Sequence, residues 1–324
     1  MHDSTTHDRR THPQRWTRRR GLLDRPRRCG ALAAALAGLA LLTTAVGPAQ
    51  AAPTATGGPV VCEEDTPIAH RQVYADVRVP AGGWCTIEKA GIHGDLLVDP
   101  GAGVYVARSS VLGDVLGAGG VDLESSTVAG DVWLDGWREV ATRPALFAAG
   151  RATVRGDVRG RGVLWFRDVH VEGAVNVTAP HRQYATRRGS LITDSRIDGW
   201  VNLPVLGATV VHVARSDLRS GLTFSGYGNG TVCGTTVADD LVLRTTGAHI
   251  RVGAAPRMSN NRCEVGPAAQ AVTVGGDLLV RFAGDLVAIS QVHVLGDLRC
   301  DAPVRLGIVQ VDGVRTGTCA EASP

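Results

Sequence analysis

Beyond about residue 60, hydrophobic and polar positions alternate in short runs. Val77-Arg78-Val79, Val169-His170-Val171 and Val292-His293-Val294 are typical. A period of two is the mark of a strand, and it turns valine and isoleucine to one side and histidine or arginine to the other. Helical spacing is nearly absent over the same stretch. Many runs end in Gly-Asp followed by an apolar residue: Ile92-His93-Gly94-Asp95-Leu96, Val111-Leu112-Gly113-Asp114-Val115, Val128-Ala129-Gly130-Asp131-Val132 and Val154-Arg155-Gly156-Asp157-Val158. The phrase returns at Val274-Gly275-Gly276-Asp277-Leu278 and Val294-Leu295-Gly296-Asp297-Leu298. Weaker copies lie around Ala174, Trp200, Leu222 and Asp240.

Successive copies are about 17 to 26 residues apart, with one gap near 37 that leaves room for a degenerate copy. A period near 20 is that of a solenoid, in which one coil cannot bury its apolar residues alone and stacked coils share a core. A sandwich would need a hairpin turn every ~8–12 residues. A propeller would need a period near ~40 with aromatic signatures. The pattern therefore predicts an all-β chain, a right-handed parallel β-helix of about a dozen coils, since parallel crossovers are overwhelmingly right-handed. At ~4.8 Å per coil the stack would rise roughly 55–60 Å. Glycine in the repeat is expected where the backbone turns a corner that a Cβ would obstruct.

Composition supports this. The 324 residues are 44% hydrophobic but only 4% aromatic, as suits a narrow lumen filled by valine, isoleucine, leucine and alanine, and the 41 glycines follow no collagen period. The net charge of +3 is set by the first 51 residues, which hold nine arginines and three aspartates. The remainder has 25 basic against 28 acidic residues, so no basic nucleic-acid footprint is expected on it.

Those first 51 residues read as a secretory signal: a polar, arginine-rich stretch to residue 28, an apolar run Ala31 to Val46, then Ala49-Gln50-Ala51, after which cleavage is expected. The alternative is an uncleaved anchor, but the run is short of the ~20 residues that span a bilayer. Thr17-Arg18-Arg19-Arg20-Gly21-Leu22 loosely resembles a twin-arginine signal, with Gly21 where a bulky apolar residue is usual. Cys29 precedes the apolar run, the wrong order for a lipoprotein. The expected organisation is 1–51 signal, 52–72 linker and start of a cap, 73–319 β-helix and 320–324 tail, with no transmembrane segment in the mature chain.

Six cysteines remain after the leader: Cys62, Cys85, Cys233, Cys263, Cys300 and Cys319. An even count in an exported chain points to disulfides, and six thiols allow about fifteen pairings. A zinc site would call for a C-x2-C pair or nearby histidines, and none is present.

The two ends, Val77-Arg78-Val79-Pro80-Ala81-Gly82-Gly83-Trp84-Cys85 leading into Gly94-Asp95, and Val311-Asp312-Gly313-Val314-Arg315-Thr316-Gly317-Thr318-Cys319, resemble exported actinobacterial β-solenoid proteins with V-x-G-D/N-V repeats and a terminal G-x-C. Their coil style is that of bactofilins and pectin lyases. The resemblance implies the architecture over nearly all of the mature chain and carries no catalytic residue across. The bactofilins lack an export signal, so filament formation does not follow. Cys62 with Cys85, and Cys300 with Cys319, are one repeat apart, and equivalent positions on adjacent coils lie about 5 Å apart, which suits a disulfide. Both pairs would staple the terminal coils. Cys233 with Cys263 would clamp the irregular middle.

Candidate chemistry is sparse. The Gly-Asp carboxylates would stack along one corner, either as a calcium column or as caps on their own turns; the second reading fits the interruptions better. Asp239-Asp240, with Arg244 and His249 nearby, faintly resemble the paired carboxylates of β-helical pectin-degrading hydrolases, but no second acidic pair accompanies them. His93, His170, His212 and His293 are expected to face outward. No metal or cofactor is expected, and no nucleophile or nucleotide motif is present. Residues 135–152 and 178–193 exceed the base period. They carry Trp137, Arg138, Arg143 and Phe147, then His181, Arg182, Tyr184, Arg187 and Arg188. Projecting from one side about two coils apart, they are candidates for binding an extracellular glycan or an anionic cell-wall polymer, through aromatic stacking and arginine pairing; the alternative is that they are tolerated loops. The expected function is a secreted, non-catalytic binding or scaffold protein, with a polysaccharide-degrading enzyme as the alternative and self-association through the coil ends as a weaker third.

Overall fold

The computed structural model describes residues 58–135, 146–178, 189–205, 210–226, 228–245, 249–253, 271–281 and 286–321. They form a parallel β-solenoid. Each coil lays down three short strands, such as Val77–Val79, Trp84–Glu88 and Gly91–Ile92, and the next coil repeats them at Leu96–Val98, Gly103–Ala107 and Ser110–Val111. Equivalent strands pair in parallel, giving sheets A, B and C with 13, 12 and 12 strands. No helix among the described residues is long and apolar enough to cross a membrane.

The alternation read from the sequence sets which side chains enter the lumen. In sheet A one interior column runs Val77, Leu96, Val115, Val132, Val158, Val175, Val201, Leu222, Leu241, Leu278 and Leu298, each the register partner of the next. All are fully buried. Sheet C supplies Ile92, Val111, Val128, Val154 and Val171 in the same manner. Burying one such side chain is worth roughly 1.5–3 kcal/mol, so the shared column is what a single coil lacks.

The three corners obey different rules. From sheet C to sheet A the link is three residues, as in His93–Asp95 and Leu295–Asp297. Here each Asp carboxylate reaches across coils. Asp95 Oδ1 accepts the Asp114 N–H at 2.8 Å, Asp114 Oδ1 that of Asp131 at 2.8 Å, and Asp131 Oδ1 that of Asp157 at 2.8 Å. The run ends at Ala174, whose N–H is bonded by Asp157, and resumes from Asp240 through Asp277 and Asp297 to Val314. The aspartates thus cap the following coil, not their own turn as expected. The preceding glycine is required by close approach: a Cβ on Gly130 would overlap Asp114 Oδ1 and the Gly113 carbonyl oxygen.

From sheet B to sheet C the usual link is two residues. The first is left-handed, with φ between 49° and 58° at Lys89, Arg108, Ser125, Arg151, Asp168, Asp194 and Arg215. The second is small and buried, often Ser or Thr. From sheet A to sheet B the length varies, from the single Gly162 to the span between Thr178 and Leu191.

Two expectations are corrected. The solenoid begins before residue 73, because Val60–Val61 already pairs with Val77–Arg78. The 37-residue gap hides no further coil: Thr236–Val237 pairs directly with Thr273–Val274, so the excess is an insertion at one sheet B to sheet C corner. Cys62–Cys85 and Cys300–Cys319 are disulfides joining adjacent coils at the two ends, with Cα separations of 5.6 and 5.3 Å. Cys233 is also disulfide-bonded, while Cys263 lies outside the described residues.

Candidate binding face

The residue after each repeat copy, its sixth position, follows the inward apolar residue and so points out from sheet A. In coil order these residues are Leu97, Leu116, Trp133, Arg159, Asn176, Asn202, Thr223, Val242, Leu279 and Arg299, one per strand and in register; of these Val242 alone is buried. At ~4.8 Å per strand they make a straight lane along the axis. Trp133 is 43% exposed, and the Arg159 guanidinium lies 5.7 Å from its ring centroid. Asn202 Nδ2 donates to Asn176 Oδ1 at 3.1 Å. Trp200, at the adjoining corner and 36% exposed, donates its Nε1–H to Thr223 Oγ1 at 3.2 Å. Its ring covers Gly221, where a Cβ would collide with it.

This lane presents flat aromatic surface next to neutral amides and a hydroxyl. Aromatic rings give apolar contact area with a polar edge, and an asparagine amide offers two donors and an acceptor. Together they match a ligand with apolar C–H faces and many hydroxyls.

Sheet C carries a different site. An open groove of about 730 Å³ is bordered by Arg151, Asp168, His170, Asp194, Arg196 and Arg215. Its charges are largely satisfied internally. Arg215 makes a bidentate pair with Asp194 at 2.7 and 2.7 Å. Arg196 Nε donates to Asp198 at 2.7 Å, and His170 Nε2 lies 2.9 Å from the same carboxylate. Arg151 pairs with Glu124. The Arg215 guanidinium holds the Asp194 carboxyl below its usual range, and Arg196, with help from His170, does the same to Asp198.

The sequence candidates fall as follows. Asp240 is committed to the backbone ladder through its bond to Asp277 N–H. Asp239 is exposed beside it, Arg244 lies on sheet A and His249 on sheet B. Phe147 is corrected outright: it is fully buried and packs edge-to-face on Phe166 with centroids 5.4 Å apart, so it is core and unavailable to a ligand. Its place in a strand of sheet B, opposite Val121 and Leu164, is the reason. Trp137, Arg138, Arg143, His181, Arg182, Tyr184, Arg187 and Arg188 lie outside the described residues. The segments holding them leave sheet A after Asp135 and Thr178 and rejoin sheet B at Leu146 and Leu191, which is the same corner two coils apart. His170 and His293 sit on the outer side of sheet C and His93 at the corner that follows it, each with a side-chain partner. Sequence reasoning missed Trp133, Trp200, Asn176, Asn202 and Thr223. Setting the repeat copies in register and reading down the fourth and sixth positions would have found all five.

No family model matches the chain, and neither the curated proteins nor the solved structures contain a match to it.

Proposed function

We propose that this protein is an exported, non-catalytic β-solenoid that binds carbohydrate or a cell-wall polymer along sheet A, at the cell surface or in the extracellular matrix. The observation that carries the reading is the axial lane of Trp133, Asn176, Asn202 and Thr223, flanked by Trp200 and bordered by the corner from which both long insertions depart. Export rests on the leader sequence and agrees with disulfides at both ends of the stack, which persist in oxidising compartments. The resemblance to exported actinobacterial solenoids points the same way.

The degradative alternative would rest on Asp239 and Asp240, of which Asp240 Oδ1 already accepts a backbone N–H. The test is a binding screen of the purified protein against glycans and wall polymers, with product analysis on every positive. Binding without turnover is expected. Trp133→Ala should weaken it about tenfold, the ~1.4 kcal/mol typical of a truncated aromatic anchor. Turnover, or binding indifferent to Trp133, would overturn the proposal.

A further inference from the structure

Several arginines on the outer surface have a carboxylate partner: Arg78 with Asp99, Arg108 with Glu88, Arg159 with Asp157, Arg219 with Asp217. Arg244 and Arg281 have none among the described residues, and they differ from the other arginines without one in facing each other. They are register partners on adjacent coils of sheet A, both on its outward side, Arg244 exposed and Arg281 half-buried. Among the described residues neither makes a hydrogen bond or an ion pair. The carboxylate that follows on the next coil, Asp301, is taken by Arg299 at 3.4 Å.

Two like charges directly opposite each other destabilise a sheet. At ~4.8 Å between strands this pair has no compensating carboxylate contact among the described residues, whereas the sheet C groove neutralises its own arginines. An external anion would remove the cost. The pair lies on the same sheet face as the proposed glycan lane, one strand beyond Thr223: Val242, which is buried, and Leu279, two residues earlier on the same strands, continue the column that holds Asn202 and Thr223.

We infer that the polymer on sheet A is an acidic polysaccharide whose sugar carboxylates pair with Arg244 and Arg281. This rests on the reading of sheet A as a glycan-binding face and narrows its ligand. A guanidinium fork matches a carboxylate in bidentate geometry. A polyuronate carries rings and charges along its length, which suits a face whose Trp133 and Arg244 lie five strands, about 24 Å, apart. A polyphosphate supplies only the charge.

The test measures binding of the purified protein to polygalacturonate, to its methyl-esterified form, to a neutral glucan and to polyphosphate. Polygalacturonate should bind about tenfold or more tightly than the methyl ester, a difference of ~1.4 kcal/mol, and added salt should erode that difference. The R244Q/R281Q double variant should lose the same factor for polygalacturonate alone, with a melting temperature equal to or above that of the parent. Trp133→Ala should weaken the acid and ester forms alike. Unchanged polygalacturonate binding in the arginine variant would overturn the inference, as would polyphosphate binding of equal strength and equal arginine dependence. Glycan binding that needs Trp133 but not the arginines would sink this inference and leave the glycan reading standing. Absence of binding to any glycan would sink the reading itself.

Discussion

At the scale of single residues, Gly130 and Asp131 show why two residue types recur together. Asp131 sends its carboxylate to the Asp157 N–H of the next coil, while Gly130 N–H donates to the Gly113 carbonyl of the one before, at 3.2 Å. Asp131→Ala leaves a backbone donor unpaired and should cost about 1–3 kcal/mol in chemical denaturation. Asp131→Asn keeps an acceptor oxygen and should cost clearly less. Gly130→Ala forces a methyl into the Asp114 carboxylate and the Gly113 backbone and should cost about 1–3 kcal/mol. Alanine at either position with the stability of the parent would remove the ladder from the account. The motif itself was legible because it repeats. The reach of its aspartate was not, since the pattern within one copy does not say which coil a side chain bonds to.

At the scale of strands and corners, the link from sheet B to sheet C works by a second ladder. Ser126 Oγ accepts the Ser109 N–H of the preceding coil at 3.1 Å, and its single O–H is shared between the Val106 and Glu124 carbonyl oxygens, each at 3.0 Å. Ser195 and Ser216 repeat the arrangement further along. Ser126→Ala should therefore destabilise by about 1–3 kcal/mol although only one hydroxyl is lost, and the thermal midpoint measures it. The adjoining ion pairs set a pH dependence. Asp194 and Asp198 have folded pKa values below the unfolded value of ~3.9. Their contribution is present above that value and is lost as pH falls through the lower, folded one. Melting temperature should drop as the solution is acidified below about pH 4, and the D194N/D198N variant should show a shallower drop; equal slopes would exclude these groups. Strand identity was legible from alternation. The binding lane was not, because its members are chemically unlike one another and align only once the coils are stacked. The insertions were legible as surplus length, yet Phe147 at the end of one belongs to the core strand that follows it.

At the scale of the whole stack, each described coil touches chiefly its neighbours, so stability is a sum of nearest-neighbour terms and the ends are the weak points. The period and the valine columns were readable because every coil demands similar side-chain volumes in the same places. The start at Val60 was not, because the first coil has Ala75-Asp76 where later ones have Gly-Asp. The last coil is poorly covered: Ile308 and Val314 are 74% and 60% exposed, and Val304, Leu306, Val309 and Val311 are only half-buried. A short helix, Thr318–Glu321, packs there with Cys319 fully enclosed and bonded to Cys300. That bond closes a loop with a sequence separation of 19, for which chain entropy predicts about 3 kcal/mol. The C300S/C319S variant should accordingly lose hydrogen-exchange protection over the final strands, Leu298–Cys300 through Arg315–Gly317, while Leu96–Val98 and its neighbours keep theirs. C62S/C85S should do the converse at the other end. Uniform loss of protection along the chain in either variant would mean that the coils unfold as one cooperative block, and the nearest-neighbour description would have to be given up.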